Sequence, residues 1–366
     1  NVCHNKRQIT VQSGIILDDL FQYIEYLNWE LPTLPDIKTI SLGGAISTGT
    51  HGSGIFAQNL SNSMIKCNLI VANGDIITVY DDDEFMNAVR VSIGVLGILS
   101  TITLQCVPKT KLFIKQYPLQ DNVWIKQFYK LVEENHLLRI LWLPHTEYGY
   151  IIEANTTKNV DEKINNNYFF NTYIKPYRRT ISKFLYNITY YCNSLIPYVN
   201  TIIQKMFFNN VQYYEGSMLE HMVANPRKNV LELSEWTIPL SKFLLVFHDL
   251  KKTLTNTKAY AHIPMDIRIV KQDNTYISNA YGNEPIVTIG CITRDTRISD
   301  TYVPFDIMQT IFLKYGGRPH WAKKHTLNSQ DFNKLYPKWE QFITLRRKLD
   351  PHKRFLTTKR LKIMFS

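Results

Sequence analysis

Residues 41–54 read SLGGAISTGTHGSG and gather five of the chain's 15 glycines, interleaved with serines, threonines and one histidine. Such a run offers backbone N–H groups with little side chain in the way and hydroxyls beside them. Consecutive amides in a turn form an anion-binding nest, so one chemistry on offer is a loop that closes on a polar ligand. A tight structural turn is the other, and the residues alone leave both open. The run is too polar and glycine-rich for a strand or helix interior, where each Gly costs about 0.5–1 kcal/mol relative to Ala. It is neither a GxGxxG after a strand nor a P-loop, since no GK[ST] follows. A second pair of interest is Asp266 and Arg268, two apart in the strand-like run HIPMDIRIVKQ. Residues two apart on a strand face the same way, which by itself describes an ordinary ion pair. His320 and His325 are five apart, the wrong spacing for two ligands on one helix face, so no metal is expected. Cys3, Cys67, Cys106, Cys192 and Cys291 show no CxxC or repeated spacing and read as reduced thiols.

The elements that must position these residues are legible in outline. A chain of 366 residues, 45% hydrophobic, buries more than one domain's worth of core. Residues 7–12 alternate as a strand, and 15–27 carry apolar side chains at helical spacing. After the glycine run come MIKCNLIVA and IITVY, joined at Asn73-Gly74, a strong hairpin signal. DDDEFMNAVRVS reads as a helix with acids at its positive end, and IGVLGILSTITLQCV as an apolar strand. Longer strands and helices follow from about residue 110, and the end from Asp331 is helical, breaking at Asp350-Pro351. The net charge of +11 favours anionic surfaces, but no nucleic-acid-reading module accompanies it. Leu185–Gln204 contains no charged residue and is rich in Tyr and Ile. Its Asn residues and central Pro197 fit a segment lying on a membrane surface better than one crossing it, with a cap helix buried in protein as the other reading.

Over nearly its whole length the chain resembles the aldonolactone oxidases, and among them the animal-type L-gulonolactone oxidases, in the vanillyl-alcohol-oxidase-like superfamily of FAD enzymes. The resemblance rests on GAISTGTHG (44–52), QITVQSGIILDDL (8–20), VSIGVLGILSTITLQCVP (91–108), LWLPHTE (141–147), EWTIP (235–239), PMDIR (264–268), GGRPHWAKKH (316–325) and LYPKWEQFITLRRKLDP (335–351). It implies a two-domain α+β FAD-linked oxidase fold. Residues 1–108 form a partial FAD-binding domain, and 109–325 a substrate-bearing cap domain with an antiparallel sheet and flanking helices. Residues 326–366 form a helical segment returning to the flavin side. A hydrophobic insertion at about 168–214 implies association with the endoplasmic reticulum membrane.

The same resemblance implies the chemistry: hydride leaves C2 of an aldono-1,4-lactone for FAD, and molecular oxygen is reduced to hydrogen peroxide, as in ascorbate biosynthesis. By match to the family's motifs, Gly44, Ser47, Thr48, Gly49, Thr50 and His51 face the FAD, with Gly97 and Ile98 backing it. Asp266 takes the hydroxyl proton, Arg268 orients the lactone and Lys323 supplies a cation to the reduced flavin. His145 and His320 are substrate-side candidates. Two departures stand out. The family's N-terminal Gly-His-Ser motif, which cradles the FAD pyrophosphate, has no counterpart, so the expectation is a fragment or a chain that binds flavin poorly. Asp266 stands where relatives carry Glu, which shortens its reach by about 1.5 Å, and a shift of roughly 1 Å can cost a hundredfold in rate. These departures leave room for a non-enzymatic relative, and the fold also admits a dehydrogenase that passes electrons to a cytochrome.

Overall fold

The computed structural model describes residues 1–156, 177–222, 232–293 and 302–365. The first unit opens with β1 (Val2–Cys3) and β2 (Gln8–Gln12), then α1 (Leu17–Tyr26), β3 (Trp29–Glu30) and α2 (Leu42–Ser47). It continues through β4 (Met64–Ile70), β5 (Ile76–Tyr80), α3 (Met86–Val89), β6 (Ile98–Gln105) and β7 (Val107–Pro108). Five strands form an antiparallel sheet in the order β1-β2-β6-β4-β5, and β3 pairs with β7. The Asn73-Gly74 hairpin is present, with Ile70 opposite Ile76.

Three local expectations are corrected. Leu42–Ser47 is a helix despite its two glycines: the Ser41 hydroxyl caps it by accepting the Gly44 N–H at 3.3 Å, and Leu42, Ala45 and Ile46 are buried. Gly43 lets that helix approach β2, since a Cβ there would lie 3.0 Å from the Ser13 Cβ. Tertiary packing has overridden the propensity of a short glycine-rich stretch. In the acidic segment only Met86–Val89 is helical. Asp83 turns its carboxylate onto the Phe85 N–H, the local competition by which aspartate delays a helix. The strand expected from Gly94 begins only at Ile98, because Ile93 and Gly94 both take left-handed conformations.

The second unit carries β8 (Leu112–Gln120), α4 (Asp121–Glu134), β9 (Leu137–Leu143) and β10 (Tyr148–Asn155), then α5 (Arg178–Thr189), α6 (Ile196–Phe207), β11 (Gln212–Gly216) and α7 (Met218–Met222). It ends with β12 (Glu232–Pro239), α8 (Phe243–Asn256), β13 (Met265–Val270), β14 (Ile286–Thr293), α9 (Val303–Lys314) and β15 (Arg318–Pro319). Eight strands make an antiparallel sheet in the order β11-β8-β10-β9-β13-β14-β12-β15. Three helices, α10 (Ser329–Leu335), α11 (Trp339–Leu349) and α12 (Lys359–Phe365), close the chain. Part of the 168–214 insertion, residues 168–176, lies outside the described residues.

The sheet's alternation decides which side chains meet. Ile140, Ile267, Ile289 and Trp236 stand in register across four strands and are fully buried. Their face carries the aromatic core with α8 and α9, where Trp142 meets Phe247 and Trp236 meets Phe312. Successive strand residues point to opposite faces, so the neighbouring rows turn toward the first unit. One of those rows is Leu141, Asp266, Gly290 and Glu235; the next is Arg139, Arg268, Thr288 and Thr237. The polar residues of β9, β12, β13 and β14 are thereby collected on one face.

Candidate active site

The segment after α2 docks onto that polar face. Ser53 donates its hydroxyl to the Leu138 carbonyl of β9 and accepts the Ile269 N–H of β13 at 3.3 Å. The Gly54 N–H bonds the Ile269 carbonyl at 2.7 Å. Gly52 and Gly54 are there because nothing larger fits: added Cβ atoms would lie 2.7 Å from the Leu34 carbonyl oxygen and 2.9 Å from that of His136. The glycine run thus serves structure and site together.

Asp266 and Arg268 do point the same way, and Arg268 Nε donates to Asp266 Oδ2 at 2.8 Å. Two residues that no local pattern singled out complete the cluster. Arg139 donates to Asp266 through Nε and Nη2, both at 2.7 Å, and to Asp36 through Nη1 and Nη2 at 2.9 and 2.7 Å. Arg268 also reaches Asp36, at 2.6 Å. Burial alone would raise the Asp266 carboxyl, but the Arg139 and Arg268 guanidiniums overcome it and hold the group well below the usual carboxylate range. With both oxygens already bonded to guanidiniums, Asp266 is poorly placed to accept a substrate proton, which corrects the role expected for it. A narrow cleft open to solvent is lined by Thr33, Asp36, Gly52, Ser53, Arg139 and Arg268 among others.

Beside this quartet lies a second group. His51 Nε2 meets Glu235 Oε1 at 2.6 Å, and His51 Nδ1 lies 2.9 Å from the Gly52 carbonyl oxygen. Both ring nitrogens thus face oxygen atoms. Burial would raise the Glu235 carboxyl, but His51 first, with Lys323 adding to it, pulls it well below its ordinary range. His320 is pushed down to about 3 by burial and stays neutral. His51, Glu235 and His320 bring their ligand-capable atoms within 4.8 Å of one another. The donor set still does not suit a metal ion. The His320 Nδ1 accepts the Ala322 N–H at 3.1 Å, so the neutral ring turns an Nε2–H, not a lone pair, outward. Lys323 and Arg268 add positive charge nearby.

The other expected residues fall as follows. Thr48 returns its hydroxyl to the Gly44 carbonyl at 3.0 Å, and Gly44 is exposed at the start of α2. Gly49 is left-handed, at φ 67°. Gly97 is required by strand packing, since a Cβ there would come 2.6 Å from the Ile70 carbonyl oxygen, and the Ile98 side chain is exposed. His145 is not at the site. It sits past the far end of β9, where its Nε2 accepts the Ala261 N–H at 3.1 Å, and burial holds it down at about 4. Trp321 packs against Phe332, Tyr336, Trp339 and Phe365 of the C-terminal helices.

The donors left over fit a flavin nucleotide. Among the described residues, the N–H groups of His51 and Ser53 and the hydroxyls of Ser47 and Thr50 make no hydrogen bond, and the buried Ser92 hydroxyl has no partner. Ile93 binds the Ser47 carbonyl at 2.9 Å and holds φ 53°, a strained value for a β-branched residue. Unused amides and hydroxyls on one strained loop pair are what a polyhydroxylated, anionic cofactor needs.

Comparison with known proteins settles the family. Residues 102–362 match the model of the D-arabinono-1,4-lactone oxidase family, and residues 1–80 match an FAD binding domain. The chain belongs to the D-arabinono-1,4-lactone oxidase family. It is 29% identical to the L-gulonolactone oxidase of Bos taurus over 98% of this chain and 82% of that one. It is 24% identical to an L-gulono-1,4-lactone dehydrogenase of Mycobacterium tuberculosis, over 95% of this chain and 79% of the relative. In fold it is similar to the cholesterol oxidase of B. sterolicum, with a TM-score of 0.77 at 14% identity, covering 100% of this chain and 82% of that one. The α+β FAD-oxidase architecture follows, FAD is the cofactor, and the protein is an FAD-dependent oxidoreductase.

Proposed function

We propose that this chain oxidises an aldono-1,4-lactone at C2, with L-gulono-1,4-lactone as the first substrate to test because the animal relatives are named for it. FAD supplies the two-electron acceptor, and molecular oxygen takes the electrons on as hydrogen peroxide. The 2-keto lactone enolises to an ene-diol, the ascorbate-type product. The observation that carries this reading is the pocket itself: two guanidiniums and two carboxylates converge beside Gly52 and Ser53 of the cofactor loop. Arg139 is fully engaged and holds the frame. Arg268 has an Nη1 with no hydrogen bond among the described residues and offers it to the lactone oxygens. Ser47, Thr50, His51, Ser53 and Ser92 would hold the cofactor. Lys323, near enough to draw on the charge of Glu235, adds a cation to a site where negative charge develops.

The test is anaerobic mixing of FAD-loaded protein with L-gulono-1,4-lactone or D-arabinono-1,4-lactone. Bleaching of the flavin spectrum by either supports the reading, and a spectrum untouched by both removes it. Peroxide yield in air, measured with and without cytochrome c, separates oxidase from dehydrogenase, the activity named for the mycobacterial relative.

We further infer that the protein rests on a membrane surface, that of the endoplasmic reticulum, through α5 and α6. Phe184 and Ile188 of α5, Tyr198 and Ile202 of α6, and Tyr191 in the turn between them are exposed, beside the exposed Lys183 and Lys205. An apolar stripe flanked by cations is the pattern of an interfacial helix pair. Among the described residues no helix is long and apolar enough to cross a membrane.

A further inference from the structure

We propose that Glu235 takes the proton of the hydroxyl that is oxidised, across a gap that Gly290 leaves in the sheet. This rests on the lactone-oxidising reading and names the acid–base residue within it. Oxidation of an alcohol breaks its O–H as well as its C–H bond, so a proton acceptor must stand within hydrogen-bond reach. Asp266 and Asp36 each have both oxygens bonded to guanidiniums. His51 uses both ring nitrogens, and His320 presents an N–H. Among the described residues of this cluster, Glu235 alone keeps a carboxylate oxygen with no hydrogen-bond partner: Oε1 meets His51, while Oε2 meets none. Its side chain is 13% exposed against 3% for His51.

Gly290 is the second, independent observation. It stands in register between Glu235 on one side and Asp266 on the other. A Cβ added there would lie 3.7 Å from Glu235 Oε2 and 3.9 Å from the Asp266 Cβ. A glycine inside a strand weakens it and often marks where a ligand comes close. An added Cβ would thus touch both neighbours, so the bare position leaves a lane about one methyl group wide between the two acidic side chains. A carbinol in that lane has Glu235 Oε2 as acceptor on one side and Arg268, in the adjacent row, as donor on the other. Balance is simple. The C2–H bond breaks with its electron pair going to the flavin as hydride, the O–H bond breaks with its proton going to Glu235 Oε2, and the O–H electron pair becomes the second bond of the carbonyl. As hydride leaves, the hydroxyl becomes that of a protonated carbonyl, a strong acid, so a carboxylate held ionised by His51 is basic enough.

The experiment compares wild-type, Glu235→Gln, Glu235→Asp and Gly290→Ala holoproteins, matched for flavin content, in anaerobic reduction by L-gulono-1,4-lactone. Glu235→Gln is expected to slow the limiting rate by about 10²–10⁴-fold with the half-saturating lactone concentration little changed, and Glu235→Asp to restore part of it. Gly290→Ala, whose methyl meets its neighbours at ordinary contact distance, should raise the half-saturating concentration more than it lowers the limiting rate. A readout free of flavin is the ¹³C carboxyl titration of Glu235. It should fall below the usual carboxylate range in the wild type and move back toward it in His51→Asn. A Gln variant reduced as fast as the wild type, or impaired only in half-saturation, overturns the proposal alone. A wild-type flavin that the lactone does not reduce overturns the underlying reading, and the proposal with it.

Discussion

Asp266 sits among Arg139, Arg268 and Asp36 with side chains only 13–20% exposed, so its charge is structural before it is anything else. Asp266→Asn leaves two buried guanidiniums with a single carboxylate between them. Removing one partner of such a pair costs about 3–5 kcal/mol. The denaturant midpoint at pH 7 should fall accordingly. The sign with pH is fixed by direction: the folded carboxyl lies below its unfolded value. Its stabilisation is therefore present above about pH 4 and lost as pH falls through the folded value. Unfolding curves for the wild type should weaken toward acid pH, and the Asn variant should weaken less over the same range. A variant as stable as wild type at pH 7 would mean that Asp266 is not part of the frame. The sequence disclosed the Asp266–Arg268 pair because strand alternation is a local rule. Arg139 and Asp36 were out of reach, since they stand 127 and 232 residues from their partners Asp266 and Arg268. The Glu235–His51 contact spans 184 residues and left no local signal. EWTIP was read for family resemblance and not for the acid inside it.

At the scale of elements, the loop between α2 and β4 and the loop after β13 lock together beneath the cofactor segment. Asp273 is buried there, accepting from the Ser278 hydroxyl at 2.7 Å, the Thr275 N–H at 3.1 Å and Asn59 Nδ2 at 3.2 Å. Burial pushes its carboxyl up to about 6. A raised acid prefers its proton in the folded state, so stability is greatest below about pH 4 and declines as pH rises toward 6, with no further loss above that. Asp273→Asn keeps an oxygen for Thr275, and its amide stands where Oδ2 accepted from Asn59 Nδ2, so the Asn59 amide turns over to bring its partnerless Oδ1 to it. At pH 7 it should be more stable than wild type by about 1–3 kcal/mol, with the advantage vanishing near pH 4. Chemical denaturation across pH 4–8 measures this; an advantage that does not depend on pH would locate the cause in packing. The same region shows what pattern reading misses. The Asn73-Gly74 hairpin was legible because turn chemistry is local. The helix Leu42–Ser47 was not, because its stability comes from Ser41 as a cap and from burying Leu42, Ala45 and Ile46.

For the molecule as a whole, both units and the C-terminal helices share one contiguous apolar core, and Arg354 reaches back to the Ala72 carbonyl of the first unit at 3.0 Å. Against that background the outward face of α5 and α6 is an anomaly. Phe184, Tyr191 and Tyr198 are 66%, 88% and 70% exposed, while Tyr186, Val199 and Ile203 on the inward side are buried. The inward side already satisfies the fold, and among the described residues the Tyr191 ring meets only the neighbouring Tyr190 ring, at 5.1 Å. Aromatic rings at the headgroup level and a net charge of +11 together favour an anionic bilayer surface. In flotation with vesicles of phosphatidylcholine and phosphatidylserine, wild-type protein should rise with the lipid, and more so at low salt. Changing Phe184, Tyr191 and Tyr198 together to Ser should abolish most of that binding. Because the three lie on the face away from the core and remote in sequence from the pocket residues, flavin content and lactone oxidation in detergent should be unchanged. Binding that survives the triple change would place the contact elsewhere. Loss of flavin along with lipid binding would mean that these rings support the fold after all.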